Sequence, residues 1–186
     1  STLSPSSAAS DVYKRQIVHS LNVRSDNLYA ESVLRLLSLS DHEKGSAEKG
    51  IDIIRKYWQN YEADSLELFM YDGSGLARNN KVSAKYLNCV LKETARDSLI
   101  GEYFVQTLPL AGKEGSVATF MKHGELPGEL RLKSGSMSDV HAYAGYYTTP
   151  QNRYAIVVMI NNYTCTRAQL KQKISTLLTQ VLSKKE

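Results

Sequence analysis

Arg131-Leu132-Lys133-Ser134-Gly135-Ser136-Met137-Ser138-Asp139-Val140-His141-Ala142-Tyr143-Ala144-Gly145-Tyr146-Tyr147 is the stretch whose reading decides the fold. Leu130 and Leu132 alternate with Glu129, Arg131 and Lys133, the period of a half-buried strand. That period sends Lys133 and Ser134 to opposite faces, so both serve one ligand only at a sheet edge beside a cleft. There an ammonium and a hydroxyl can hold a carboxylate, and Gly135 lets a substrate backbone come close. The Ser136 N–H is left to donate to an oxyanion. Taken alone, Lys133-Ser134-Gly135-Ser136 is better explained as an ordinary edge strand ending in a Ser/Gly turn.

Three strands follow from this region: Glu129 to Met137, Val140 to Thr148, and Arg153 to Asn161. A turn at Thr149-Pro150-Gln151-Asn152 makes the last two a hairpin. The run Ala155-Ile156-Val157-Val158-Met159-Ile160 is apolar on both faces, which predicts an interior strand covered on each side. From Thr166 to Leu182, Ile174, Leu177, Leu178, Val181 and Leu182 form a helical stripe that should pack on the sheet. The fold expected is α/β, an antiparallel sheet flanked by helices.

Upstream, Ser25-Asp26-Asn27 precedes Leu28, Val33, Leu34 and Leu37 at helical spacing. Any of the three polar residues can cap that helix; the functional alternative points Ser25 and Asn27 into a cleft. Ser46 to Tyr61 reads as a second helix. It opens with Ser46-Ala47-Glu48-Lys49, the only Ser-x-x-Lys in the chain. A lysine one turn from a serine can activate a nucleophile, but Ser46 follows Gly45 and fits a helix cap better. Leu66 to Met70 reads as a short strand. Tyr71-Asp72-Gly73-Ser74-Gly75-Leu76 is a tight turn with two glycines free to take positive φ. Asp72 either braces that turn or lines a pocket. Helices are expected at Ser83 to Arg96 and at Ile100 to Leu108, with one helical turn at Ser116 to Met121 inside a glycine-rich loop.

The length of 186 residues suits one domain or a large part of one. A net charge of +4, with no basic block beyond Lys184-Lys185, does not indicate a nucleic-acid partner. The longest apolar run, Ala155 to Ile160, is too short for a transmembrane segment. Two cysteines and four scattered histidines show no metal-ligand spacing. Residues 1–16 are Ser/Ala-rich, without apolar period and without the apolar core of a signal peptide. They read as a non-native leader or a disordered tail, with the folded part at 17–186.

The order of these motifs is more specific than any one of them. Ser25-Asp26-Asn27 is followed by Tyr71-Asp72-Gly73-Ser74-Gly75-Leu76-Ala77-Arg78. Thr107-Leu108-Pro109-Leu110-Ala111-Gly112-Lys113-Glu114-Gly115-Ser116 comes next, then Leu132-Lys133-Ser134-Gly135-Ser136-Met137 and Ala144-Gly145-Tyr146. This series resembles the D-alanyl-D-alanine carboxypeptidase/endopeptidase family, the low-molecular-mass class C penicillin-binding proteins, from about Ile17 onward. The resemblance implies part of a penicillin-binding-protein/β-lactamase-like fold. The family orders Ser-x-x-Lys, Ser-x-Asn, then Lys-Thr-Gly or Lys-Ser-Gly. Ser25-Asp26-Asn27 matches the second and Lys133-Ser134-Gly135 the third, with serine for the commoner threonine. Nothing before Ser25 matches the first, so the chain reads as the C-terminal part of the domain.

The resemblance implies an acyl-enzyme mechanism in the intact parent. Ser25 would pass a proton to the leaving amine, and Asn27 would position the catalytic lysine and the substrate amide. Lys133 and Ser134 would hold the terminal carboxylate, and the Ser136 N–H would be half of the oxyanion hole. Asp72 and Gly135 complete the candidate substrate-binding set. The implied partners are peptidoglycan stem peptide and, in the intact parent, β-lactam antibiotics. No cofactor or metal is implied, and the setting is extracytoplasmic. The alternatives are a non-catalytic muropeptide- or cell-wall-binding module on the same fold and, with less support, a β-lactamase or esterase.

Overall fold

The computed structural model describes residues 5–40, 44–61, 67–122 and 126–184, with side chains from residue 12 onward. The chain divides into two compact units, Ser1–Thr107 and Leu108–Glu186.

The first unit is mostly helical. Helices α1 (Pro5–Arg24), α2 (Asn27–Leu36) and α3 (Ala47–Trp58) come first. A two-stranded ladder, β1 (Leu68–Phe69) with β2 (Lys81–Val82), follows; then α4 (Ala84–Arg96) and α5 (Gly101–Thr107). Leu66, the expected start of the first strand, lies outside the described residues. Side chains fix the helix starts. Asp26, Ser46 and Ser83 each sit in extended backbone and accept a backbone N–H from the first turn of the helix they precede. Gly50 on α3 admits the α2 backbone, because a Cβ there would strike the Leu34 carbonyl.

Residues 5–16, expected as part of a leader, form the first turns of α1. Helix α1 runs through the segment and packs on α5, where the Arg15 guanidinium lies 3.3 Å over the Tyr103 ring. Asn22, near the end of α1, is buried and donates to the Thr107 hydroxyl at 3.0 Å. Cation–ring and amide–hydroxyl contacts hold the helix, and neither leaves an apolar period for sequence reading to find.

The second unit is a three-stranded antiparallel sheet: β3 (Glu129–Ser136), β4 (Val140–Thr148) and β5 (Arg153–Asn161), in the order β3-β4-β5. Helix α6 (Arg167–Leu182) covers one face, its start fixed by a Thr166/Gln169 capping box. A 3-10 turn at Gly115–Val117 lies beside β3. The core joins Val117, Phe120, Leu130, Leu132, Tyr143 and Tyr147 to Leu170, Ile174, Leu178 and Leu182. The buried row on α6 is therefore a pure i, i+4 row, while Leu177 and Val181, expected in it, are about half exposed. Among the described residues, β5 pairs only with β4, so one of its edges is open; the neighbours that would make it the interior strand its two-sided apolar run suggests are not among these elements. Its seven inner residues are all partly buried.

His141 on β4 is 2% exposed, and neither ring nitrogen finds a hydrogen-bond partner among the described residues. Burial pushes its pKa below the usual 6.5, and Lys171 and Arg167 of α6 add to the shift. The unfolded chain therefore binds the proton that the folded imidazole refuses, so stability falls as pH drops through about 6.5. His141→Phe is expected to remove that slope in denaturant titrations at pH 7.5 and 5.5. An unchanged pH difference in the variant would refute it.

Candidate active site

Lys133 and Ser134 should part to opposite faces of β3, yet the outer edge of the strand brings their polar groups together. The hairpin closes with the Met137 N–H on the Val140 carbonyl at 3.0 Å, so the odd-numbered residues 133, 135 and 137 face β4. By the same parity the N–H and C=O groups of Leu132, Ser134 and Ser136 point off the sheet. The Leu132 N–H donates outward to the Pro109 carbonyl at 3.0 Å, and the Leu130 carbonyl accepts outward from the Ala111 N–H at 2.9 Å. Beyond Leu132 that cover stops. The Lys133 ammonium turns to the same edge, donating to the Ser134 carbonyl at 2.8 Å. The Ser134 hydroxyl lies 2.7 Å from the Ser116 hydroxyl, beside the 3-10 turn. Gly135 and Ser136 are exposed, and the nearest atom to a Cβ built on Gly135 is 3.9 Å away, so the strand end is sterically open.

The edge thus gathers an ammonium, two hydroxyls and an outward-pointing N–H. Partial burial pushes the Lys133 pKa below the usual 10.5. Such a half-desolvated cation gains more from a carboxylate than a fully hydrated one. Arg131, one step back on the Lys133 face, donates to the Leu108 carbonyl at 3.0 Å and lies 3.7 Å from Glu114 and 3.5 Å from Glu129. Glu114 also accepts from the Leu110 N–H at 2.8 Å. These contacts tie the Leu108–Glu114 loop to β3 just where the strand edge changes from covered to open. Ser116 is the residue that sequence reasoning missed as a participant. Its signal was present in the Gly115-Ser116 that closes the glycine-rich stretch.

Ser25 and Asn27 lie in the first unit, at the junction of α1 and α2. Of the three candidate caps, Asp26 does the capping, accepting from the Tyr29 N–H at 3.0 Å. That releases Ser25 and Asn27 from a capping role. Ser25 holds a positive φ of 56°, a left-handed conformation that is sparsely populated for a residue with a side chain. Asn27 is exposed on the first turn of α2. On the same helix, Glu31 accepts from the Gly73 and Ser74 N–H groups at 3.0 and 2.9 Å, docking the Tyr71–Arg78 turn onto α2.

Asp72, a candidate substrate-binding residue in the sequence reading, braces that turn. Its carboxylate accepts from the Gly75 N–H at 2.8 Å, the Ala77 N–H at 2.6 Å and the Asn80 amide at 2.7 Å. Desolvation pushes its pKa up, but the hydrogen bonds from Asn80, Ala77 and Gly75 outweigh it and leave the carboxyl below its usual 3.8. Of the two turn glycines, only Gly75 takes positive φ, at 79°. Gly73 is required for space: a Cβ there would lie 2.6 Å from the Ala30 carbonyl oxygen.

Comparison with known proteins places the chain in a family and a fold. The D-Ala-D-Ala carboxypeptidase 3 (S13) family profile matches residues 14–184. D-alanyl-D-alanine carboxypeptidase of Actinomadura sp. (strain R39) is 26% identical over 144 residues, 75% of this chain and 27% of the relative. D-alanyl-D-alanine carboxypeptidase DacB of Haemophilus influenzae is 27% identical over 161 residues, 83% of this chain and 33% of the relative. The chain thus spans about a third or less of the length of these relatives. Among solved structures, penicillin binding protein 4 from Haemophilus influenzae, complexed with a β-lactam, superposes with a TM-score of 0.73 at 24% identity, covering 90% of this chain and 41% of that one. A variant of the TLA-1 extended-spectrum β-lactamase superposes at 0.65 and 16% identity, covering 91% and 64%. The fold is that of penicillin-binding proteins and β-lactamases, as the motif order implied.

Proposed function

The chain belongs to the D-Ala-D-Ala carboxypeptidase 3 (S13) family, and from that membership we propose that it carries the carboxylate- and oxyanion-binding part of a serine-type D-Ala-D-Ala peptidase acting on peptidoglycan stem peptides. The observation that supports this reading is the outer edge of β3, where the Lys133 ammonium sits on the Ser134 carbonyl, the Ser134 hydroxyl meets Ser116, and the register turns the Ser136 N–H outward. In the proposed reaction a serine hydroxyl attacks the penultimate D-Ala carbonyl, and the D-Ala amine leaves as the acyl-enzyme forms. Lys133 and Ser134 hold the terminal carboxylate, with Ser116 orienting the Ser134 hydroxyl. The Ser136 N–H donates to the developing oxyanion. Gly135 leaves room for the substrate backbone. Ser25 returns the proton to the leaving amine, and Asn27 positions the reacting lysine and the substrate amide. The nucleophilic Ser-x-x-Lys of this scheme comes from a segment other than these 186 residues, upstream in the parent protein, which works outside the cytoplasm and takes β-lactams as substrate mimics.

A binding assay tests the carboxylate site directly. Peptides ending in D-Ala-D-Ala are titrated into the chain as the free acid and as the C-terminal amide. The acid is expected to bind about ten- to a hundredfold more tightly, the 1.5–3 kcal/mol of a hydrogen bond to a charged group. Lys133→Ala should erase the difference, and Ser116→Ala should reduce it. Because burial depresses the Lys133 pKa, the preference for the acid should fade as pH rises through a range below 10.5. Equal binding of acid and amide, or a Lys133→Ala variant that keeps the preference, would defeat the assignment. The second reading is a module that binds muropeptide without cleaving it. It predicts the same acid preference and separates only when the complete parent is assayed for D-Ala release.

A further inference from the structure

The end of α3 carries an aromatic cluster that the site above does not use. The Tyr57 and Trp58 rings meet edge to face at 5.1 Å, Trp58 and Tyr61 lie 5.2 Å apart, and Tyr57 and Tyr61 lie 5.5 Å apart. Tyr57 is 52% exposed, so the cluster is a surface platform and not a piece of core. A cavity of about 430 Å³ opens beside it, with Tyr61 as the shared wall. The remaining walls come mainly from α4: Lys85, Asn88, Lys92 and Arg96, with Asn60 from the α3 end and Glu93 as the one carboxylate among the described residues. Lys85 is paired with Glu67 at 3.3 Å and Arg96 with Glu93 at 2.6 Å, while Lys92 is exposed at the rim. Among the described residues, no branched aliphatic side chain lines the cavity.

This combination does not suit an apolar peptide, which needs aliphatic walls. Aromatic faces are electron-rich and take the polarised C–H face of a pyranose ring. Asparagine amides donate to and accept from hydroxyl and N-acetyl groups. With Lys85 and Arg96 paired to Glu67 and Glu93, the Lys92 ammonium at the rim gives the cavity a net positive charge that attracts an anion. The volume is that of a ligand of about two or three sugar rings. We infer that this face of the first unit is a binding site for an anionic N-acetylated glycan: the Tyr57–Trp58–Tyr61 rings stack on sugar, and Lys92 with its neighbours takes the carboxylates of attached peptide. Its identity as a peptidoglycan strand rests on the proposed function; the aromatic and cationic chemistry does not. The site would hold the polymer while a different part of the chain binds the stem terminus.

Trp58 is the chain's single tryptophan, so its fluorescence reports this site alone. The probe is a soluble tetrasaccharide-peptide released from peptidoglycan by a muramidase. Chitotetraose serves as neutral N-acetylated glycan, and the free stem peptide as anion without sugar. We expect a saturable Trp58 response to the tetrasaccharide-peptide, a response about tenfold weaker in affinity to chitotetraose, and none to the peptide. Tyr57→Ala and Lys92→Glu should each weaken binding about tenfold, with circular dichroism unchanged because both side chains are exposed, and Tyr57→Phe should retain it. Lys133→Ala should leave the response intact. Loss of the response in Lys133→Ala would assign it to the β3 edge and overturn the inference. So would a flat titration with both glycans, an equal response to peptide alone, or full affinity in Tyr57→Ala. If the acid/amide preference at β3 fails while Trp58 still titrates with glycan, the proposed function falls and the glycan site stands.

Discussion

Labelled penicillin is expected to leave no covalent adduct on this chain, and Ser46→Ala is expected to change nothing in that assay. Acylation needs a serine made nucleophilic by a neighbouring base, and Ser46–Lys49 is the only Ser-x-x-Lys present. The geometry there is that of a helix start. The Ser46 hydroxyl accepts from the Lys49 backbone N–H at 3.4 Å. The Ser46 backbone is held by Ser38, whose hydroxyl accepts from the Ser46 N–H at 2.8 Å and donates to its carbonyl at 2.9 Å. Lys49 is exposed. Loss of the cap should cost about 0.5–2 kcal/mol of stability and no chemistry. Supplying the upstream Ser-x-x-Lys segment of the parent should bring labelling back, and Lys133→Ala in that protein should suppress it. Labelling of the present chain that disappears with Ser46→Ala would make Ser46 the nucleophile and undo the proposed mechanism.

What could be read from the residues divides along physical lines. Where period and cap coincide, the elements emerge close to their expected bounds: α4, β4 and β5 within a residue, and α3 from its Ser46 cap to three residues short of Tyr61. Elsewhere the structure adds what local sequence does not carry. Arg15 and Asn22 of α1 have partners far along the chain, at Tyr103 and Thr107. Local composition does not encode partners. The two-sided apolar run of β5 reports what its faces touch, whereas its position in the sheet depends on its edges, which carry only backbone and look the same in any sequence. A period of two separates Lys133 from Ser134, but that period fixes only Cβ. A four-carbon stem can turn the strand edge and bring the ammonium to the Ser134 carbonyl. For Asp72 the sequence favours bracing over lining a pocket, and the turn's hydrogen bonds show the bracing. Residue type and order named the candidates, while the contacts they make at the β3 edge had to come from the structure.

The largest stability effect should come from Phe120→Ala. Phe120 is 2% exposed and stacks on Tyr143, with centroids 4.3 Å apart and planes 19° from parallel. It joins the loop that carries Ser116 to the sheet and to the buried row of α6. Removing the ring forfeits its transfer free energy and leaves a void, together about 3–5 kcal/mol for a buried phenylalanine. The stacked pair adds about another 0.5–1.5 kcal/mol. A domain of this kind holds only about 5–15 kcal/mol in all, so the midpoint of denaturant unfolding should fall steeply. Tyr147→Phe is the matched contrast in the same cluster. Its ring is fully buried, yet its hydroxyl finds no hydrogen-bond partner among the described residues, so deleting that oxygen should be neutral or stabilising. The void should also reach the candidate site. With the Ser116 loop no longer pinned, the 2.7 Å pairing of the Ser116 and Ser134 hydroxyls should loosen. Carboxylate preference at β3 should then weaken in Phe120→Ala at temperatures where the protein is still folded, while Tyr147→Phe keeps it. A Phe120→Ala protein that loses less than about 1 kcal/mol would show that this cluster does not carry the second unit.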